Sequence, residues 1–343
     1  IRYKYGLFKQ KIENGYQTEE ADNWTKYGDA WSVRCDSDAV QVHFSDQTVL
    51  AVPYDIPIIG YGIHNIGTLR LWQSEAMDDF NFKLFNEQTY IESSREKIYA
   101  EDISRCLYPN DDTSDGKKLR LKQQYFFCSA SLSDIIKKHK QKYDDIKTLG
   151  KYITIQLNDT HPVISIPELI RQLTVNEGLD FDTSFEMAKK IFNYTNHTIM
   201  PEALEKWDSS IIKEILPEIY NIIFMINERF ITQMYQSDVE PSKIKSMKII
   251  QDERIHMANM ATYCSSFVNG VAEIHTEILK ASTLHNWYEI YPDKFQNKTN
   301  GITQRRWLAL CNKELSGLIT GLLLSNKWIT NLSELKKLNQ YAD

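Results

Sequence analysis

An α/β fold is predicted for this 343-residue chain by three features. Roughly the first eighty residues alternate at period two between turn signals, the middle holds a strand, a polar turn and a helix in immediate succession, and an isoleucine ladder at helical spacing follows. Strands therefore come early, and α/β units with long helices come later.

Taken in order, Ile1-Arg2-Tyr3-Lys4-Tyr5-Gly6 has a strand-like pattern. Val40-Gln41-Val42-His43-Phe44 alternates as a half-buried strand, and Thr48 to Val52 is a short apolar strand that Pro53 should close, since proline has no N–H for the ladder. Thr89 to Cys106 reads as one helix, with Ile91, Ile98 and Ile103 too sparse for a core stripe; such a helix projects or meets a partner. Tyr108 to Gly116 is dense in turn formers and predicts a mobile surface loop.

Tyr152 to Leu157 alternates as a strand ending at Asn158-Asp159-Thr160-His161-Pro162, and Ser165-Ile166-Pro167-Glu168 has capping-box spacing with proline in the first turn. In open α/β sheets ligands bind beyond the carboxyl ends of strands, the position of Asp159 and His161. Tyr194 to Trp207 sets an uncharged row of donors and acceptors ahead of Pro201, which should start a helix with Glu202 and Glu205 in its first turn. Ile211, Ile212, Ile215, Ile219, Ile222, Ile223, Ile226 and Phe230 then turn one helical face inward, while Asn221, Asn227 and Arg229 reach outward. Leu318 to Leu324 is a core or helix segment.

Composition narrows the function classes. With 42% hydrophobic, 12% aromatic and 25% charged residues the chain is globular, and no apolar run reaches membrane-span length. The net charge of −6 carries no basic stripe, which argues against nucleic acid as the main partner and leaves neutral substrates open. Five scattered cysteines without a C-x-x-C pair read as reduced thiols of a cytoplasmic protein. The chain opens without Met and closes after a helical run, so it reads as part of something longer. No metal is expected, and the phosphate motifs G-x-x-x-x-G-K-[ST] and G-x-G-x-x-G do not occur.

Two polar clusters carry the chemistry. Asp159 and His161, two residues apart at a strand end, suit sugar hydroxyls or a water, against the alternative of an Asx-turn with a capping histidine. Thr195-Asn196-His197-Thr198 offers an amide and an imidazole for a hydroxyl that both donates and accepts, against a satisfied core histidine. Asn297 to Thr303 adds Asn300 beside Gly301. Asp159 and Glu205 are also an obvious carboxylate pair for a glycoside hydrolase.

In order along the chain, Ile1 to Gly6, Leu69 to Trp72, Leu107 to Asp111, Leu119 to Tyr125, Gln156 to Pro162, Tyr194 to Trp207, Val268 to His275 and Phe295 to Gly301 resemble the glycogen and starch (α-1,4-glucan) phosphorylases. The resemblance implies a two-lobed glycosyltransferase architecture, with residues 1–300 part of the N-terminal, glucan-binding lobe and 301–343 the start of the C-terminal lobe. It implies phosphorolysis of terminal glucose to glucose 1-phosphate, with α-1,4-glucan and inorganic phosphate as substrates. Pyridoxal phosphate is the implied cofactor, with its anchoring lysine outside this chain, so the segment alone would be inert.

By the same resemblance, His197 and Asn300 hold a glucose hydroxyl, Asp159 and His161 line the sugar side of the cleft, and Asp111 lies in the gating loop. Glu205, Val271, Thr198 and Ala203 border the substrate. Asn221, Phe224, Asn227 and Arg229 match part of a glycogen storage surface, and the Thr89 to Cys106 helix reaches across a homodimer. The sequence departs from the family at Thr113 and Ser114, at Ser266-Phe267, and at Gln304, which replaces a proline.

Overall fold

The structure, a computed structural model, describes residues 1–342. Residues 1–6 do not form the expected strand. Arg2 N–H donates to the Trp72 carbonyl at 2.8 Å, and Tyr5 makes an isolated bridge to Cys106. Strand structure begins at β1 (Leu7–Glu13), which pairs antiparallel with β2 (Tyr16–Asp22) around Asn14-Gly15. Both turn residues have positive φ, the geometry a two-residue hairpin favours.

An antiparallel sheet follows, built from β3 (Val33–Arg34), β4 (Val40–His43), β5 (Thr48–Ile59) and β6 (Ile66–Ala76). Pro53 does not close β5, contrary to expectation. β4 covers Thr48–Ala51 and β3 covers Tyr54–Asp55, so Pro53 falls between two partners on that edge, where its missing N–H leaves no gap. Arg70 on β6 is bound by Asp38, Asp55 and Asp134, which ties this sheet to the helix behind it.

The single helix expected over Thr89 to Cys106 does not form. After α1 (Phe82–Asn86) the chain forms α2 (Tyr90–Ser93) and α3 (Arg95–Asp102), broken at Ser94 with φ −114° and ψ 3°. The Ser93 hydroxyl competes for the Tyr90 carbonyl at 2.6 Å. Ala100 and Ile103 are buried, whereas Tyr90, Ile91, Ile98 and Tyr99 remain exposed.

Helix α4 (Ser114–Lys140) begins inside the stretch expected to be loop, shortening the loop to residues 108–113, because Thr113 Oγ1 caps the Gly116 N–H. Gly116 is required there, since a Cβ would lie 2.2 Å from the Asn110 carbonyl oxygen. The next helix, α5 (Leu149–Tyr152), occupies the start of the expected strand, with Tyr152 stacked on Tyr143 at 4.0 Å. The paired strand is β7 (Ile155–Asn158).

Nor does α6 (Ser165–Arg171) use a capping box. Glu168 turns into the core, where it accepts from Tyr125 Oη at 2.9 Å, Ser129 Oγ at 2.8 Å and Gln172 Nε2 at 2.6 Å and pairs with Arg171 at 2.7 Å. Those buried donors outweigh one backbone cap. α7 (Phe181–Ile191) leads into β8 (Phe192–Thr195). Pro201 starts only a single 3-10 turn, Pro201–Ala203, before β9 (Lys206–Asp208), so Glu205 stands at a strand entrance and not in a helix.

The isoleucine ladder packs inward as expected, with Ile212, Ile223, Ile226 and Phe230 fully buried. It is split into α8 (Ser209–Ile215) and α9 (Pro217–Gln236), because Pro217 cannot continue the first helix. Asn227 does not reach outward: it is buried, and its Oδ1 accepts from Ile250 N–H at 3.0 Å. α10 (Pro241–Met247) precedes β10 (Ile250–Gln251) and β11 (Arg254–His256), which join β9 in a three-stranded sheet.

The fully buried α11 (Met257–Cys264) then feeds β12 (Val268–Gly270), α12 (Glu273–Ile278), α13 (His285–Ile290) and β13 (Phe295–Asn297). β13, β12, β8 and β7 lie side by side in that order as a four-stranded parallel sheet, the α/β unit the sequence predicts. α14 (Lys313–Leu323) is followed by 3-10 turns at Lys327–Ile329 and Leu332–Tyr341; Leu318 and Leu324 are exposed and Ile319 alone of α14 is buried. Among the described residues no helix is long and apolar enough to cross a membrane.

Candidate active site

The carboxyl ends of the four parallel strands open on one edge, where polar backbone and side-chain groups converge. β7 delivers Asn158 and Asp159, β8 delivers Asn196, His197 and Thr198, β12 runs on to Val271, and β13 runs on to Asn300. Backbone links hold these ends together: Asp159 N–H donates to Thr195, Asn196 N–H to Asn269 and Asn300 N–H to Val271, each at 3.0 Å. Gly270 is needed for this closeness, because a Cβ there would stand 2.5 Å from Thr276 Oγ1.

Each strand end presents a defined group. His197 Nε2 lies 2.6 Å from Asn158 Oδ1; with the amide oxygen accepting, Nε2 carries the proton and Nδ1 is the acceptor of the neutral ring. His197 is exposed, which rules out the core-histidine alternative. Asp159 sits at φ 69°, in the left-handed region, and its Oδ1 accepts from Thr160 N–H at 2.8 Å. That bond reaches the next residue and not the one after, so the Asx-turn alternative does not hold. The other oxygen is 3.9 Å from His161 Nδ1.

Asp111, Asp159, His161, Thr198, Ala203 and Glu205 line one open cleft, together with Lys117, Arg120, Trp207 and Arg254. His197, Val271 and Asn300 stand on the adjoining strand ends. Arg120 holds Asp111 at 2.5 Å, and Gln124 Nε2 donates to Glu205 Oε1 at 2.8 Å. Glu205 Oε2, Gln124 Oε1, Asn196 Oδ1 and Trp207 Nε1 are buried without a partner. Buried polar atoms are normally paired, so orphans gathered beside a cleft mark a place for hydroxyls of a ligand or for water.

The electrostatics favour neutral groups. Burial, reinforced by Asp159 and Glu205, pushes the Tyr194 phenol well above its usual range, and its oxygen accepts from Asn196 Nδ2 at 3.0 Å. Burial first, and then nearby His197, push the His275 imidazole below its ordinary value. His275 Nδ1 accepts from Val271 N–H at 3.1 Å.

Sequence reasoning did not single out Arg120, Gln124, Trp207 or His275 as parts of the site. Arg120 and Gln124 left one signal, a cation and an amide one helical turn apart inside an otherwise core-facing stretch.

The family model for carbohydrate phosphorylase matches residues 1–343, all of the chain. The chain belongs to the carbohydrate phosphorylase family. It is 44% identical to the brain form of glycogen phosphorylase from Rattus norvegicus, an alignment covering 100% of this chain and 44% of that protein. The brain form from Homo sapiens is 44% identical over 98% of the chain and 43% of its own length, and the muscle form from Oryctolagus cuniculus is 43% identical over 100% and 44%. This phosphorylase chain thus spans less than half the length of these relatives.

Three departures from the phosphorylase pattern have structural roles. Thr113 caps α4. Ser266 Oγ donates to the Lys189 carbonyl at 2.7 Å, while the Phe267 carbonyl accepts from Tyr194 N–H at 2.9 Å, so the backbone of that segment still joins β8. Gln304 is buried and donates to the Ile329 carbonyl at 2.9 Å.

Of the storage-surface residues, Asn221 and Phe224 are exposed on α9. Arg229 is engaged by Asp182 and Glu186 and lies over Phe185 at 4.6 Å. None of these lines the cleft.

Proposed function

We propose that this chain is the glucan-holding half of an α-1,4-glucan phosphorylase, which releases terminal glucose of glycogen or starch as glucose 1-phosphate using inorganic phosphate. The observation that carries this reading is the cleft at the carboxyl ends of β7 and β8, lined by Asp159, His161, Thr198 and Glu205, with His197, Val271 and Asn300 on the adjoining strand ends of the same parallel sheet. Such groups match sugar hydroxyls, each of which can both donate and accept.

In this reading His197 and Asn300 orient the terminal glucose. Asp159, His161, Thr198, Ala203, Glu205 and Val271 shape its surroundings, and Asp111 gates access through the loop of residues 108–113. Residues 1–300 belong to the first lobe and 301–343 open the second.

Pyridoxal phosphate supplies phosphate-relay chemistry in phosphorylases, and the residues present do not fit it. Lys117 and Lys206, the lysines of the cleft, are exposed, and among the described residues no buried amine faces it. In this reading the chain binds and orients sugar, and the cofactor's anchoring lysine lies outside it.

Exposed Tyr90, Ile91, Ile98 and Tyr99 on α2 and α3 support a contact with a second copy, hence a homodimer. Asn221, Phe224 and Arg229 form a secondary glucan-holding face on α9. Five unpaired thiols agree with a cytoplasmic setting.

The test is incubation of the full-length protein with glycogen and phosphate. Phosphate-dependent release of glucose 1-phosphate is expected. Free glucose appearing equally without phosphate would instead identify a hydrolase, and binding without turnover a noncatalytic glucan-binding protein.

A further inference from the structure

Arg120 and Gln124 stand one turn apart on α4 and so project from one face of that helix. They hold the two sides of the cleft. Arg120 grips Asp111 of the entrance loop, and Gln124 grips Glu205, which precedes β9. α4 is itself fixed on three sides: Gly116 abuts the Asn110 carbonyl, Gln123 Nε2 donates to the Ile103 and Cys106 carbonyls at 3.1 and 3.0 Å, and Tyr125 Oη donates to Glu168. A rigid helix with two polar prongs thus sets where Asp111 and Glu205 stand.

Gln124 is 6% exposed, and among the described residues its Oε1 has no partner. An apolar side chain of the same length would fill that space without stranding an oxygen. The amide's distinguishing property is the N–H it gives to Glu205, and it gives it without adding charge. Without that donor, both Glu205 oxygens would lack protein partners, and the carboxylate would turn toward water in the cleft.

We propose that Gln124 is a positioning residue for glucan recognition, holding Glu205 against the cleft wall so that the sugar site keeps its shape. The substrate named here rests on the phosphorylase reading.

The experiment uses the full-length protein as wild type, Gln124→Met and Gln124→Glu. It measures maltoheptaose Kd by calorimetry, separate KM values for glucan and phosphate, and melting temperature. Loss of a hydrogen bond to a carboxylate predicts that Gln124→Met raises the maltoheptaose Kd and glucan KM about tenfold. The phosphate KM should stay within about twofold and the melting temperature within about 2 °C, because Met fills the buried space and the released Glu205 carboxylate can turn to water in the cleft.

Gln124→Glu sets two carboxylates together, which can share a proton at low pH and repel when both ionise. Its maltoheptaose affinity should match wild type near pH 5.5 and fall toward pH 8, a limb absent from wild type. Unchanged Kd in Gln124→Met, equal loss of glucan and phosphate affinity with a drop in melting temperature, or a Gln124→Glu profile parallel to wild type would each overturn the proposal. Wild type lacking phosphate-dependent turnover would sink the phosphorylase reading alone, since the Kd comparison still decides the role of Gln124.

Discussion

His275 Nδ1 accepts the Val271 N–H at 3.1 Å while the Val271 carbonyl accepts the Asn300 N–H at 3.0 Å, so one imidazole anchors the backbone of two candidate sugar contacts. It can accept only while Nδ1 is unprotonated. Burial lowers its pKa below the ordinary 6.5, so the unfolded chain takes up this proton more readily than the folded one. The His275 contribution to stability is therefore complete above about pH 6.5 and is lost progressively as pH falls toward the depressed folded value. His275→Gln in the full-length protein should keep an acceptor and flatten this pH dependence. His275→Ala should lower stability at pH 7 by about 1–3 kcal/mol. Denaturant melts from pH 5 to 7.5 check both.

Gly270→Ala should destabilise by about 1–3 kcal/mol, because a methyl group 2.5 Å from Thr276 Oγ1 and 3.0 Å from the Thr276 backbone nitrogen forces β12 away from α12. Gly301→Ala, with nothing within 4 Å of the added carbon, should change stability by less than about 0.5 kcal/mol. Chemical denaturation of the two variants side by side tests the contrast.

Removing Arg171 should cost far more than removing Arg34. Arg171 neutralises Glu168, which is fully buried, whereas the Arg34 pair with Glu75 is partly open to solvent. Arg171→Met should lower stability by about 3–5 kcal/mol and Arg34→Met by about 1 kcal/mol or less, measured by urea melts.

His197→Ala should spare folding and depress turnover. The ring is exposed and, among the described residues, bonded to Asn158 alone, so its loss should leave the melting temperature within about 2 °C. It should lower kcat/KM for glucan about a hundredfold if its hydrogen bonds tighten in the transition state. Parallel losses of melting temperature and activity would make His197 a structural residue instead.

The α/β unit and the inward isoleucine face were legible because both depend on local periodicity, which burial on one side imposes directly. The strand-end residues Asp159, His161 and His197 were legible for a related reason: polar side chains just after a strand sit where an open sheet keeps its ligands. Features set by tertiary partners were not. Glu168 had the spacing of a cap and became the centre of a buried network, Pro53 reads as a stop and falls between two short strands, and Asn227 looked outward until Ile250 came to pair with it. Gln124 and His275 escaped notice because their partners, Glu205 and Val271, depend on backbone geometry that spacing does not encode.

Asp159 occupies a left-handed backbone conformation at the mouth of β7, a conformation glycine adopts without penalty. Chain geometry and chemistry can therefore be separated at this position. Glycine there would ease the turn while deleting the carboxylate, and asparagine would keep both shape and tolerance while deleting only the charge. A protein more stable but less active with glycine, and equally stable but less active with asparagine, would reveal an aspartate retained against the preference of its own backbone.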